Sequence, residues 1–219
     1  MFRRAELFLR YVQKDPNDKR PQPNTANEPV IADLGTTFLN SVAYAPLSAG
    51  AAMTMLLVGN STSTFDGGFY FSPVVLSANK GRVTTETAGV PRHFRSYATA
   101  TCDGLLALWA AGVPLGDDRM VAARRWLAQH PRWDEPEGVP KNQAEPWADA
   151  IYFYHLAVRA EAYGTLGWPT NARPELVRLL SAQQRTDGSF ANAKSHLMKE
   201  DDPMLATTLA VTALVRAAR

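Results

Sequence analysis

The sequence has little of the material from which disulfide frameworks, metal cages and polyanion-binding surfaces are built. Its 219 residues include one cysteine, Cys102, which excludes an internal disulfide and a cysteine-rich metal site. The 23 basic and 21 acidic residues give a net charge of +2, a balance that does not indicate a nucleic-acid binder. With 46% hydrophobic and 20% charged residues, the chain has the composition of a globular protein.

Long hydrophobic runs are also scarce. The apolar run Leu7-Phe8-Leu9 is interrupted at once by Arg10, so the N-terminus is not a convincing signal peptide and we assume a cytoplasmic location by default. Residues 38–59 carry no charge, but polar residues and a proline dilute this stretch. Because a spanning helix needs about 20 predominantly apolar residues, we expect a buried or amphipathic insertion here instead of a membrane span.

Motifs that carry chemistry are missing as well. The sequence contains no Gly-rich phosphate-binding loop, no His-Glu-x-x-His, no Gly-x-Ser-x-Gly and no Cys-x-x-Cys. Cys102 is in phase with Ala98, Leu105 and Trp109 on a helical stripe, so we predict that it is a small core residue. The sequence therefore predicts no metal, no cofactor and no identifiable catalytic residue.

An internal repeat is the strongest signal that is present. Leu108 and Leu214 lie in helical runs rich in small residues and are 106 positions apart, which is twice 53. A further helical run lies midway between them. A second series ends its helices on glutamine, at Gln129 and Gln183, which are 54 positions apart. Two series with one period predict a repeating unit of helix, loop, helix and loop.

Capping residues place the helix ends. Asp202 followed by Pro203 predicts a helix start, and Gly112, Gly167 and Gly188 stand where helices should stop. The predicted helices span roughly residues 4–14, 95–112, 118–130, 146–166, 173–185 and 203–218, with ends uncertain by about 2–4 residues.

The repeat period is interrupted once, near the N-terminus. Gln13 ends a helix of the repeat, but Gln129 follows only 116 residues later instead of about 54. We therefore divide the chain into a first repeat helix in residues 1–15, an irregular insertion in residues 16–92 that ends in an Asp-Gly-Gly-Phe turn, and further repeats in residues 93–219.

The segment that follows the glutamines resembles the repeat motif of squalene cyclases and protein prenyltransferases. That motif is a glutamine, two to five residues, a glycine, any residue, and then Trp or Phe. The matching residues in this chain are Gln129, Gln184, Gly188, Phe190, Gly67 and Phe69. The ordered set is most similar to bacterial proteins that carry prenyltransferase/squalene oxidase repeats. The glutamine amide is expected to bond to the start of the next helix, with the aromatic residue packed over it.

This resemblance implies an α/α toroid, in which two concentric rings of helices surround a cavity. The chain has enough helices for about three hairpins, so we predict an all-α fold, a partial (α/α) toroid with an irregular insertion. A half ring leaves a helix face unpaired at each end. The expected partners are therefore a second copy of the chain or a missing N-terminal half, bound through these exposed helix faces.

The family's catalytic motifs do not transfer to this chain. Class II cyclases use Asp-any-Asp-Asp, which is absent, and Asp117 and Asp202 are expected to cap helices. A general acid is the alternative role for Asp201 and Asp202. The prenyltransferase zinc ligands are an Asp, a Cys two residues later and a distant His, whereas here Cys102 precedes an adjacent aspartate.

Aromatic residues are the remaining candidates for a site. Aromatic walls can hold an isoprenoid or another apolar ligand and stabilise carbocations. The candidate cavity-lining residues are Tyr97, Trp109, Trp147, Tyr152, Tyr154 and His155. The alternative is ordinary ring packing, with the tyrosine and histidine tips hydrogen-bonded.

Two functions are compatible with these residues and motifs. The first is a repeat module without a catalytic acid or a zinc site, which acts as a binding or interaction domain. The alternative is the C-terminal part of a terpenoid-cyclase-like enzyme that acts on an isoprenoid substrate. The missing motifs and the incomplete ring favour the module over the enzyme.

Overall fold

A computed structural model describes residues 66–71, 79–82 and 94–219. These residues form helices and contain no strand or sheet, which confirms the all-α prediction for this part of the chain. The chain divides after Gln129 into two compact units. The predicted helix at 4–14, the uncharged stretch at 38–59 and the predicted boundaries after residues 15 and 92 lie outside the described residues.

The first unit contains helices α1 (Ala98–Ala110) and α2 (Asp118–Gln129), which pack against each other. Cys102 is fully buried in α1, which confirms its prediction as a core residue. The Asp117 carboxylate accepts a hydrogen bond of 2.9 Å from the Arg119 N–H at the start of α2. The predicted capping role of Asp117 is therefore confirmed, because this contact satisfies an N–H that has no partner within the helix.

The second unit contains α3 (Trp147–Ala150), α4 (Tyr152–Leu166), α5 (Ala172–Ser181) and α6 (Pro203–Ala217). Helix α6 packs along α4 and contacts α5. Three fully buried alanines, Ala206, Ala210 and Ala213, recur on one face of α6. The Arg216 guanidinium also donates a hydrogen bond of 2.6 Å to Glu161 of α4. Small side chains on the inner face and an ion pair at its edge together fix α6 against α4.

The helix start predicted at Asp202-Pro203 is confirmed, since the Asp202 carboxylate accepts the Met204 N–H at 2.8 Å. The helix predicted at 173–185 ends at Ser181, within the uncertainty of its predicted end, because the Gln183 N–H makes a tighter bond to the Leu180 carbonyl and the Arg185 N–H bonds to the Ser189 carbonyl. One other predicted helix needs correction. The helix predicted at 146–166 is interrupted at Ile151.

The interruption at Ile151 is produced by two buried polar side chains from a distant loop. The Glu200 carboxylate accepts the N–H groups of Phe153 and Tyr154, at 2.9 and 2.8 Å. Asn192 donates at 2.6 Å to the carbonyl of Asp149, which a continuous helix would pair with the Phe153 N–H. Helix α4 thus begins anew with its first N–H groups capped from outside. Burial raises the pKa of Glu200 above its ordinary value.

Candidate functional site

The turn at residues 66–69 is the first copy of a structural repeat. The Asp66 carboxylate accepts hydrogen bonds from the Gly68 N–H at 3.1 Å and from the Ser96 hydroxyl at 2.7 Å. Gly67 has a φ of +88°. A Cβ atom there would lie 2.7 Å from the carbonyl oxygen of Ala122. Both the backbone conformation and the close approach therefore require glycine at this position.

Phe69 joins this turn to helix α1. Its N–H donates to the Thr101 hydroxyl at 3.0 Å, and its carbonyl accepts the Tyr97 N–H at 3.1 Å. The Phe69 ring is buried. A threonine inside the helix therefore receives the N–H of the aromatic residue that ends the turn.

The segment at residues 187–190 repeats this arrangement. The Asp187 carboxylate accepts the Ser189 N–H at 2.9 Å, and Gly188 has a φ of +86°. The N–H of Phe190 donates at 3.0 Å to the hydroxyl of Thr207 in α6, and the Phe190 ring is buried. The same turn therefore meets the same type of helix residue in both units.

The two threonines place α1 and α6 in a common register. Thr101 and Thr207 are 106 positions apart, the same spacing as Leu108 and Leu214. Position 101 of α1 therefore corresponds to position 207 of α6, and the rest of the two helices can be compared residue by residue.

The glutamines of the motif do not act as predicted. The Gln184 amide donates at 3.0 Å to the Gly188 carbonyl and so closes its own loop. Gln183 donates at 2.6 Å to the Tyr152 hydroxyl, and Gln129 is the exposed last residue of α2. The prediction that Gln184 bonds to the next helix is wrong, and the backbone N–H of Phe190 makes that link instead.

In the common register, a buried face of α1 corresponds to an exposed face of α6. Ala98, Cys102 and Leu105 are fully buried in the first unit. Their equivalents in α6 are Met204, Thr208 and Val211, of which Met204 is 78% exposed and Val211 is 47% exposed. The same helix face is therefore covered in one repeat and open in the other.

We define the α6 face as the exposed residues of this helix that recur at packing intervals: Met204, Leu205, Thr208, Val211, Thr212 and Val215. Their spacing is that of a helix stripe that faces a core. No residue from 203 to 215 is charged. The hydroxyls of Thr208 and Thr212 donate to carbonyls one turn earlier, each at 2.8 Å. These threonines can therefore be buried by a partner without leaving a hydroxyl unsatisfied.

The predicted cavity-lining residues have different environments. Tyr97 and Trp109 belong to the first unit, where Tyr97 is buried and Trp109 is about half exposed. The other four, Trp147, Tyr152, Tyr154 and His155, belong to the second unit. There Tyr152 and His155 lie on the buried side of α4, whereas Tyr154 is exposed and Trp147 is half-buried.

Tyr152 and His155 differ in how their polar atoms are satisfied. The Tyr152 hydroxyl accepts the hydrogen bond from Gln183, as expected for a packed tyrosine. His155 is fully buried, and neither ring nitrogen makes a well-aligned hydrogen bond, although the Arg132 backbone lies close enough to raise its pKa. The expectation of a hydrogen-bonded tip is therefore wrong for His155. Burial, reinforced by the Arg159 charge, lowers the His155 pKa to about 3, so the ring is neutral at physiological pH.

Arg159 is a buried residue whose role the sequence did not reveal. Its guanidinium donates to the backbone carbonyls of His130 and Arg132, the latter at 2.6 Å. It also lies over the rings of Trp133 and Tyr163, at 5.4 and 5.5 Å from their centroids. Arg159 therefore fixes the segment that begins the second unit onto α4. The sequence feature that could have identified Arg159 is its position one helical turn after His155, on the stripe that is buried in the structure.

The loop before α6 holds two side chains whose contact the sequence did not predict. His196 Nδ1 lies 2.7 Å from the Asp201 carboxylate, and His196 is exposed. This hydrogen bond lowers the Asp201 pKa below its usual range, so Asp201 is ionised at neutral pH and is unsuited to the role of general acid. The Asp202 carboxylate accepts the Met204 N–H and so caps the start of α6.

Within residues 66–71, 79–82 and 94–219, no group of three or more His, Cys, Asp or Glu side chains is arranged to hold a metal ion. Among the helices described in these ranges, none has the length and apolar character needed to cross a bilayer.

Comparison of the chain with protein families, curated proteins and solved structures gives no match. The resemblance to the squalene cyclase and prenyltransferase repeats therefore remains a prediction based on the motif residues.

Proposed function

We propose that the chain is a non-catalytic helical-repeat module that binds an apolar helix through the α6 face. The helices belong, in this proposal, to a partial α/α toroid of about three hairpins of the squalene cyclase and prenyltransferase type. The repeated Asp-Gly turn and the matching Thr101 and Thr207 contacts support such a repeat.

One observation carries the proposal, namely that the α6 face is open where the equivalent face of α1 is buried. Burial of an exposed aliphatic side chain stabilises a complex by about 1.5–3 kcal/mol. A contiguous apolar face without charge is typical of a site at which another protein docks. A partner helix with apolar residues at similar spacing would complete the packing that α6 lacks.

The second unit gives less support to the cyclase-like alternative. The Tyr152 hydroxyl accepts a hydrogen bond from Gln183, and the Arg159 guanidinium contacts backbone carbonyls and aromatic rings. His155, with its low pKa, is not protonated at neutral pH. These side chains are used for packing, which favours the module.

A synthetic amphipathic helix of leucine and alanine, compared with a scrambled peptide of equal composition, tests the proposal. Binding is measured by fluorescence anisotropy with wild-type protein and with Val211→Glu. The matched control is Val177→Glu, because Val177 of α5 is also an exposed valine, 43% accessible. We expect Val211→Glu to weaken binding by about tenfold or more, since the complex would bury an unpaired carboxylate. Equal binding of both peptides, or equal loss in both variants, would contradict the proposal.

A further inference from the structure

We propose that the occupant of the α6 face is the α6 face of a second copy of this chain, packed antiparallel about a two-fold axis. This inference rests on the proposed function and names its partner. Two properties of the helix support it: the pairing of four exposed residues about its midpoint, and the distribution of its charges. Its length sets the expected strength of the contact.

Four of the six residues of the α6 face form two pairs about the middle of the helix, whereas the positions opposite Leu205 and Thr212 are Leu214 and Thr207, which lie outside this face. Met204 and Val215 are equally distant from the point between positions 209 and 210, and so are Thr208 and Val211. An antiparallel two-fold pairing at this point places Met204 against Val215 of the partner subunit, and Thr208 against Val211 of the partner subunit. Such an interface is self-complementary, as a symmetric dimer requires.

The charges lie only at the two ends of α6. Asp201 and Asp202 precede its first turn, whereas Arg216 and Arg219 lie at its C-terminal end. Since Asp201 is paired with His196 and Arg216 with Glu161 inside the same chain, Asp202 and Arg219 are the end charges without an ion-pair partner among the described residues. In an antiparallel pair, the acidic end of each helix approaches the basic end of the other, and the helix dipoles are opposed. A parallel pair would bring like charges together. The sequence of α6 therefore selects the antiparallel arrangement.

The length of α6 sets the expected strength of the dimer. Its 15 residues span about 22 Å at the usual rise of about 1.5 Å per residue. One such helix face is smaller than the standard interface of about 800 Å² per partner. Leu197 and Met198, both exposed in the loop that leads to α6, can add apolar area. We therefore expect a reversible dimer with a dissociation constant of about 1–100 µM.

Sedimentation velocity of the full chain, from about 1 to about 300 µM, tests the pairing across the expected dissociation constant. The wild-type protein should shift from monomer to dimer over this range. Met204→Glu and Val211→Glu should remain monomeric throughout, and Val177→Glu should dimerise like the wild type. Circular dichroism confirms that each variant is folded. Met204 is the most informative position because its 78% exposure makes the substitution harmless to the monomer.

Cross-linking with a short bismaleimide tests the orientation. Cys102 is fully buried and can stay in place. An antiparallel pair predicts covalent dimers when Met204→Cys and Val215→Cys are combined in one chain, and few dimers when Met204→Cys stands alone. Efficient cross-linking of the single variant would indicate parallel helices and would contradict the proposed geometry.

The possible failures separate this inference from the proposed function. A wild-type protein that stays monomeric at about 300 µM but binds the amphipathic peptide at the α6 face would overturn the self-pairing and leave the interaction module intact. A protein that neither dimerises nor binds the peptide would overturn both. A dimer that both Val211→Glu and Val177→Glu leave unchanged would place the interface elsewhere and would also overturn the inference.

Discussion

Replacement of His155 by phenylalanine should remove much of the acid sensitivity of the second unit. His155 is fully buried, and its two ring nitrogens make no well-aligned hydrogen bond. Protonation inside the fold is opposed first by burial and then by the charge of Arg159, while Asp134 and the Arg132 carbonyl partly offset this. The neutral ring is therefore the form that the folded protein accommodates.

The size of the effect follows from the difference between the two pKa values. The folded-state pKa is about 3, against an ordinary value of 6.5. Above pH 6.5 the ring is neutral in both states, so it makes no pH-dependent contribution. As the pH falls toward 3, the unfolded chain binds a proton that the folded chain does not, and stability is lost at about 1.4 kcal/mol per pH unit. At about pH 4.5 the expected loss is about 3 kcal/mol.

Urea denaturation at about pH 7.5 and about pH 4.5, followed by circular dichroism, measures this loss. We expect the His155→Phe variant to lose about 3 kcal/mol less than the wild type between the two pH values. At the higher pH it should be as stable as the wild type or more so, because two unsatisfied polar atoms are removed. The control His196→Gln alters an exposed histidine and should leave the acid-induced loss of the wild type largely in place. An unchanged pH dependence in His155→Phe would refute the assignment.

Three further substitutions test individual contacts by urea denaturation at neutral pH. Gly67→Ala should cost more than about 2 kcal/mol because its Cβ would meet a backbone carbonyl, whereas Gly112→Ala, with a similar φ but open space around it, should cost about 1 kcal/mol. Thr207→Val should cost about 1–2 kcal/mol because it leaves a backbone N–H unsatisfied, whereas Thr208→Val, whose hydroxyl bonds only to its own helix, should change stability by less than about 0.5 kcal/mol. Equal effects within either pair would contradict the assigned contacts. Glu200→Ala should cost about 3 kcal/mol because two N–H groups at the start of α4 lose their acceptor, and a loss below about 1 kcal/mol would show that water replaces it.

The features that the sequence predicted correctly are local or periodic. The spacing of Leu108 and Leu214 predicted a common register, and the structure extends it to Thr101 and Thr207. The cap at Asp202 was recognisable because the carboxylate and the N–H that it accepts are two residues apart. Such signals depend on neighbouring residues or on a spacing that can be counted in the sequence, so no knowledge of the tertiary structure is needed.

The features that were missed depend on contacts between distant residues. The break at Ile151 requires Glu200, which is 47 residues from the Phe153 N–H that it accepts. The periodicity of residues 146–166 is helical on both sides of the break, so it contains no sign of the interruption. Gln184 was misassigned for a different reason, since a glutamine amide can reach either its own loop or the next helix, and the turn at Gly188 brings the nearer carbonyl into range.

The exposed face of α6 could be identified only by combining the sequence with the structure. The resemblance to a ring-shaped family predicted that a terminal helix would be left unpaired, but it did not say which residues would be open. Comparison of burial in α1 and α6 identifies Met204, Thr208 and Val211 as the uncovered positions. The register came from the sequence, and the burial came from the structure.

Methyl NMR tests most directly whether the α6 face is a docking surface. The methyl signals of Met204, Val211 and Val215 are followed as the amphipathic peptide is added at low protein concentration, with Val177 of α5 as the reference. We predict that the three α6 signals shift together in a saturable way while the Val177 signal stays unchanged. Uniform small shifts at all four positions, or shifts confined to Val177, would contradict a docking role for the α6 face.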